Sequence, residues 1–418
     1  MHDFEYRGTE LYCEDTAVSD IAKKVGTPFY LYSYKTITEH LIKIQRAFKS
    51  VNPLICFAMK ANGNLAVLKA LVDKGSGLDI VSGGELFKAK KVGCPSNRIV
   101  YAGVGKTDSE IAEAVQSNIL LFNVESVPEL DHIQQVAEKL KRKVNISLRV
   151  NPGIDPHTHH YIATGKSESK FGIDMDSARS IFKKAGHYPN LLLCGIHVHI
   201  GSQITEGEPF VKAFKKVLQF IENLEKDGAA IKYLNLGGGL GIIYSDEKPQ
   251  TADEFAKAIL PLFKGRKFQL IFEPGRFIVG NGGIFVSKVL YIKKAGSKNY
   301  AIVDGGMNDL IRPALYGAYH EVMPLKKRKD KKRLKYDVVG PICESGDFLA
   351  TNRELEELHS GDVIALLGAG AYGFTMSSQY NARPRVPEVM VKGKRFEIVR
   401  KRESYEDLIR EERFPSFL

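Results

Sequence analysis

Short apolar and β-branched runs recur through the first two thirds of the chain, at 54–60, 77–82, 98–103, 120–124, 145–151, 193–201, 233–239 and 268–275. Most end in Gly, Asn or Ser, as strands do. Helical patterns fit between them at 64–74, 84–92, 108–117, 126–141, 176–185, 208–226 and 251–263. The clearest is 208–226, where Phe210, Phe214, Val217, Ile221 and Leu224 recur every three to four residues with Lys and Glu between them. Strands alternating with helices predict a parallel sheet, and eight strands with seven intervening helices predict its closure into a (β/α)8 barrel of the TIM type.

After about residue 279 the pattern changes. Segments 283–291, 300–303, 335–339 and 363–367 are short, β-rich and bounded by Gly, Pro or charged turns, and no long helical pattern returns until 403–412. The predicted architecture is therefore α/β: a barrel over 34–278, and a mostly antiparallel β-barrel domain built from 1–33 and 279–418. There is no internal repeat and no low-complexity linker.

A chain of 418 residues is long enough for two domains, and 44% hydrophobic with 26% charged residues is ordinary for a globular protein. No apolar run approaches membrane-spanning length. The N-terminus lacks a basic start followed by an apolar stretch, so no secretory signal is read there. Five scattered cysteines without a CxxC pair read as reduced thiols, which points to the cytoplasm. The net charge of +11 suggests nucleic-acid binding until its distribution is examined. Residues 326–335 hold eight basic residues and one acid, so +7 sits in ten residues. Such a run is usually a solvated loop, and no aromatic is interleaved for base stacking. Neither nucleic acid nor membrane is expected as a partner.

Barrel enzymes build their sites at the C-terminal ends of the strands. Here those ends carry Lys60, Asp79, Arg149 with Asn151, His197 and His199 sharing one face of the sixth strand, the run Gly237-Gly238-Gly239-Leu240-Gly241, and Glu273-Pro274-Gly275-Arg276. Each has an ordinary explanation alone. A lone lysine packs its stem and sends its head to solvent, and a glycine run is often only a tight turn. Together they meet one set of requirements. A desolvated lysine suits Schiff-base chemistry. A glycine turn helped by the Ser202 hydroxyl suits a phosphate. Glu273 can pair with a protonated ring nitrogen, and His199 can lie flat on the ring. These are the needs of pyridoxal 5'-phosphate. A metal enzyme is the rival reading, from the cluster His157, His159 and His160 and the pair His197 and His199. It leaves the lysine and the glycine cradle unexplained, so no metal is expected.

The chain resembles the diaminopimelate decarboxylases, pyridoxal-phosphate enzymes with an alanine-racemase-like fold. The resemblance is carried by FAMKAN around Lys60, GLDIVSGGEL at 77–86, HVHIGSQ at 197–203, LNLGGGLGI at 234–242, FEPGRFIVG at 272–280, DGGMNDLIRPALYGA at 304–318, GPICESGDF at 340–348 and a segment at 368–388 that begins GAGAYG. The lysine-rich run at 326–335 departs from the family but leaves GPICESGDF intact. The resemblance implies decarboxylation of meso-2,6-diaminopimelate to L-lysine and carbon dioxide, the last step of lysine biosynthesis. It implies that Lys60 carries the cofactor, that His199 stacks on the ring and that Glu273 pairs with the ring nitrogen. Asp79 is counted with the cofactor residues. Ser202, Gly238, Gly239, Gly275 and Arg276 would hold the phosphate, and Tyr372 would contact cofactor and substrate. Arg276, Arg312 and Tyr316 would hold the distal carboxylate, Glu344 would read the distal amine, and Cys343 would be the proton donor. It further implies a homodimer with shared active sites, Cys343, Glu344 and Tyr372 acting on the other subunit's site. Two alternatives stay open: a same-fold decarboxylase of ornithine, arginine or carboxynorspermidine, and a non-catalytic pyridoxal-phosphate-binding protein. An alanine racemase fits less well, since it usually has Arg where Glu273 stands.

Overall fold

The computed structural model describes residues 2–154, 170–328 and 332–418. The chain divides into two compact units. One comprises Thr38–Ile242 and Glu247–Ile278; the other comprises the residues up to Ile37, Ile243–Asp246 and Val279–Leu418.

Four strands precede the first unit: β1 (Phe4–Arg7), β2 (Glu10–Cys13), β3 (Thr16–Ala17) and β4 (Phe29–Ser33). The first unit is built on β5 (Leu54–Ala58), β6 (Gly77–Ile80), β7 (Ile99–Tyr101), β8 (Leu121–Val124), β9 (Val144–Arg149), β10 (Leu191–His197), β11 (Tyr233–Asn235) and β12 (Gln269–Phe272). They pair in parallel, each with its sequence neighbour, and β12 returns to β5, so the barrel closes. All eight predicted strands are present, and each predicted helical pattern contains a helix. The helix Glu208–Lys226 buries Phe210, Phe214, Val217, Ile221 and Leu224, the stripe read from the sequence. Each such side chain contributes roughly 1.5–3 kcal/mol when fully buried. The helix Tyr34–Ala47 was not anticipated, although Ile37, Leu41 and Ile44 lie on one face and are buried. It stands before the first barrel strand, outside the strand-to-strand alternation from which the other helices were read.

The barrel interior changes character along its axis. Toward the strands' N-terminal ends, Cys56, Val100, Leu121, Cys194 and Ile271 form an apolar layer with Leu54, Leu120 and Tyr233. Toward the C-terminal ends the buried residues are Asp79, Asn123, Ser147, Arg149, His197, Asn235 and Glu273. Burying so many polar groups is costly unless they are paired or serve a ligand.

The second unit holds β4 together with β13 (Gly283–Ala295), β14 (Lys298–Val303), β15 (Val322–Pro324), β16 (Arg333–Val339), β17 (Phe348–Glu356), β18 (Val363–Leu366), β19 (Glu388–Lys392) and β20 (Arg395–Arg400). The ladder is a nine-stranded sheet, ordered β17-β16-β14-β13-β4-β19-β20, with β18 also pairing β13 and β15 pairing β18. It is mostly antiparallel, with parallel pairs at β14–β16 and β4–β19. β1, β2 and β3 form a small separate sheet. Four basic residues of the 326–335 run lie against acids: Lys326 on Glu10, Arg328 on Asp362, Lys332 on Glu357 and Arg333 on Glu354. Residues 329–331 of that run, like His157, His159 and His160, lie outside the described residues. No helix among the described residues is long and apolar enough to cross a membrane.

Candidate active site

Lys60 does not end β5, as the sequence suggested. The strand stops at Ala58 and Lys60 sits in the following 3-10 turn, Met59–Ala61. Its Nζ lies 3.1 Å from Oδ2 of Asp79, which is wholly buried on β6. The other carboxylate oxygen, Oδ1, has no hydrogen-bond partner among the described residues. Burial raises the Asp79 carboxyl and the charge of Glu273 raises it further, while Lys60 pulls the other way without cancelling the rise.

Glu273 follows β12 and is the hub of the polar end. Asn123 and Asn235 both donate through Nδ2 to its Oε1, at 3.0 and 2.5 Å. His197 Nε2 stands 3.2 Å from its Oε2. The Asn235 amide can be assigned one way only, because its Oδ1 also accepts from the Gly237 N–H at 2.9 Å. Burial opposes the charge on Glu273. The His197 imidazole, the Lys60 ammonium and the Asn235 amide outweigh it, so the carboxyl is held below its usual range. Two buried carboxyls are thus driven apart, one toward its neutral form and one toward its anion, as in sites that divide acid and base roles.

Only one of the two histidines lies on the sixth strand. Regular pairing in β10 ends at His197, and His199 lies beyond it with different neighbours. The Gly238 N–H donates to His199 Nδ1 at 3.2 Å. Burial lowers the His199 pKa well below its usual value, and the positive charges of Arg149 and Lys60 add to the effect. The imidazole is therefore neutral. Arg149, at the end of β9, is itself paired with buried Glu125 at 2.9 Å.

The glycine run forms a turn with no room for side chains. A Cβ on Gly237 would lie 2.6 Å from the Val198 carbonyl, one on Gly238 2.3 Å from the Glu273 carbonyl, and one on Gly239 2.5 Å from the Gly201 carbonyl. Gly237 and Gly239 also have positive φ, of 65° and 110°. Gln203 clamps this turn: its Nε2 donates to the Ile242 carbonyl at 2.7 Å, and its Oε1 accepts from the Ile242 N–H at 3.2 Å. Ser202 is half-buried beside it in sequence, and half-buried Arg276 follows buried Gly275.

The lysine, the anionic carboxylate, the neutral imidazole and the side-chain-free turn fit a ring with a protonated nitrogen, an aldehyde and a phosphate. Asn123, Asn235, His197 and Gln203 were not among the expected cofactor residues. His197 and Gln203 stood in the quoted HVHIGSQ motif, and Asn235 in LNLGGGLGI. No motif pointed to Asn123.

The remaining expected residues belong to the second unit. Arg312 begins the short helix Arg312–Tyr316 and is buried; Tyr316 closes it and is half-buried. Tyr372 has φ +56°, a sparsely populated conformation for a residue with a side chain. Cys343 and Glu344 are exposed in the connection between β16 and β17. Asp347 braces that connection by accepting from the Ile342 and Met307 N–H groups at 2.6 and 2.7 Å. Of the five cysteines Cys343 alone is exposed. Burial raises the pKa of the other four thiols.

Comparison with known proteins decides the family. The pyridoxal-dependent decarboxylase, pyridoxal binding domain family matches residues 34–280. A diaminopimelate decarboxylase of Aquifex aeolicus is 49% identical over 406 residues, which is 97% of this chain and 96% of that protein. The chain belongs to the diaminopimelate decarboxylases. Family members of known structure agree in fold. The crystal structure of a diaminopimelate decarboxylase from Helicobacter pylori complexed with L-lysine has a TM-score of 0.91 at 41% identity, covering 94% of this chain and 98% of that one. A diaminopimelate decarboxylase from M. jannaschii, also in complex with L-lysine, has a TM-score of 0.95 at 37% identity over 100% of each chain. The matched pyridoxal binding domain, residues 34–280, spans all eight barrel strands.

Proposed function

We propose that the enzyme decarboxylates meso-2,6-diaminopimelate to L-lysine and carbon dioxide, using pyridoxal phosphate attached at Lys60. The observation that carries the proposal is Glu273, met by Asn123, Asn235 and His197 in the same polar barrel end as Lys60. When bound, pyridoxal phosphate supplies an electron sink for the breaking Cα–carboxylate bond. Glu273 holds the proton on the ring nitrogen. Asp79 orients Lys60, and neutral His199 covers the ring face without adding charge. The Gly237–Gly239 turn, Ser202, Gly275 and Arg276 hold the phosphate.

The substrate's far end carries a carboxylate and an ammonium. Arg276 and Arg312 suit the first through forked hydrogen bonds, the Tyr316 hydroxyl adds a single one, and Glu344 suits the second. Tyr372 contacts cofactor and substrate, and the Cys343 thiol returns a proton to Cα. The reading includes a two-fold dimer in which Cys343 and Glu344 of one chain serve Lys60 of the other. The five free cysteines support a reducing, cytoplasmic location.

The test is carbon dioxide release from meso-diaminopimelate, L-lysine, L-ornithine and L-arginine in parallel. The first should have the highest kcat/KM by a wide margin, because closed sites penalise unpaired polar groups. A higher value for L-ornithine or L-arginine overturns the substrate assignment.

A further inference from the structure

Arg312 is fixed by two residues that have no role in the reading above. Its Nη1 lies 3.0 Å from Nε2 of His320, and its guanidinium lies over the Tyr244 ring, 4.7 Å from the centroid. His320 is completely buried, and its Nδ1 lies 2.7 Å from the Leu367 carbonyl. Arginine only donates and a carbonyl only accepts. His320 therefore accepts at Nε2 and carries its proton on Nδ1: a neutral imidazole in one defined tautomer. Tyr244 meets the same imidazole edge-on at 5.6 Å. A Cβ on Gly368, whose φ is +67°, would come within 3.1 Å of the Tyr244 ring, so the glycine leaves space for that ring. All five residues belong to the second unit.

We propose that His320 and Tyr244 are positioning residues for substrate selectivity: they set the plane and direction of the Arg312 fork that receives the distal carboxylate. The proposal rests on the role given to Arg312 above. Bidentate pairing with a carboxylate depends on the orientation of the planar guanidinium. Tyr244 sets that plane by stacking, and His320 ties one tip. A neutral acceptor does this without competing for the charge, whereas a carboxylate at the same place would neutralise the arginine before the substrate arrived.

The test uses the holoenzyme and two ligands that differ in one group. L-lysine keeps the distal carboxylate, and cadaverine lacks it. Each is titrated calorimetrically into wild type, His320→Leu, His320→Gln, Tyr244→Leu and Arg312→Ala. In His320→Leu, L-lysine should bind about tenfold more weakly, the loss of a charged hydrogen bond. Cadaverine should bind as before, and KM for meso-diaminopimelate should rise more than kcat falls. In His320→Gln the side-chain carbonyl can still accept from Arg312, and most of the affinity should return. Tyr244→Leu should show a smaller loss confined to L-lysine, and it decides the matter if His320→Leu yields no folded holoenzyme. An unchanged L-lysine to cadaverine ratio, or equal losses for both ligands, overturns the inference. Arg312→Ala separates the two levels. If it leaves the ratio intact, the role of Arg312 is wrong. If it abolishes the ratio while the His320 and Tyr244 variants keep it, only the positioning role is wrong.

Discussion

The backbone N–H of Gly238 donates to Nδ1 of His199, so the proton of that imidazole sits on Nε2. Its pKa is depressed from the ordinary 6.5 by burial and by the nearby positive charges of Arg149 and Lys60. A depressed folded-state pKa adds stability that is fully present above pH 6.5 and lost as pH falls below it, because the unfolded chain then takes the proton first. The loss has a limiting slope of about 1.4 kcal/mol per pH unit. Wild type should therefore lose more stability than His199→Asn between about pH 7.5 and pH 5.5. Denaturant midpoints at both pH values check this, and parallel behaviour of the two proteins would mean that His199 is not held neutral.

Lys60→Ala should abolish covalent attachment of the cofactor and nearly all turnover. Borohydride reduction followed by peptide mapping should label Lys60 in wild type and no lysine in the variant. A reducible adduct that persists in Lys60→Ala assigns the attachment elsewhere.

Glu273→Gln keeps the shape of the side chain and removes its charge. Decarboxylation should slow on the order of a hundredfold, the usual effect of losing one preorganised electrostatic group. Phosphate binding should change little. A wild-type rate would show that Glu273 does not face the ring nitrogen.

Gly238→Ala places a methyl 2.3 Å from the Glu273 carbonyl, a distance no packing adjustment of a side chain relieves. The turn must move, and with it the His199 hydrogen bond. Equilibrium dialysis should show weakened cofactor binding, with stability reduced by about 1–3 kcal/mol. Unchanged affinity would remove the turn from the phosphate site.

A dimer with shared sites predicts complementation. Lys60→Ala and Cys343→Ala are each expected to be inactive, yet mixing them should restore activity through the one intact site of the mixed dimer. No recovery, with subunit exchange demonstrated by differential tagging, would mean that each chain completes its own site.

The barrel was legible because parallel strands buried on both faces read as continuous apolar runs bounded by turn residues. The helix Tyr34–Ala47 was missed because it precedes the first strand, although its stripe of Ile37, Leu41 and Ile44 was there to be read. Lys60, His199, Glu273 and the glycines stood out as polar or flexible residues at strand ends. Asn123 did not, because a single asparagine inside the apolar run 120–124 belongs to no motif; only the folded barrel brings it to the same oxygen of Glu273 as Asn235. His320 and Tyr244 lie far apart in the chain, and no spacing rule links residues joined through the tip of a third side chain. The direction of the second sheet was half legible. Short strands suggested hairpins, but the parallel pair β4–β19 joins opposite ends of the chain and leaves no local signal.

That pair also bears on how the protein is made. β4 is wholly buried, flanked by β13 on one side and β19 on the other, and Tyr32 on β4 bonds to Glu388 on β19 across 356 residues of sequence. At roughly 5–20 residues per second, the ribosome needs about 20–70 s to deliver that second neighbour after β4 emerges. The barrel strands, from Leu54 to Phe272, are complete long before then. During translation the apolar Phe-Tyr-Leu-Tyr segment is thus a sheet edge awaiting a neighbour 356 residues further on, and chaperone capture of stalled chains should be strongest there.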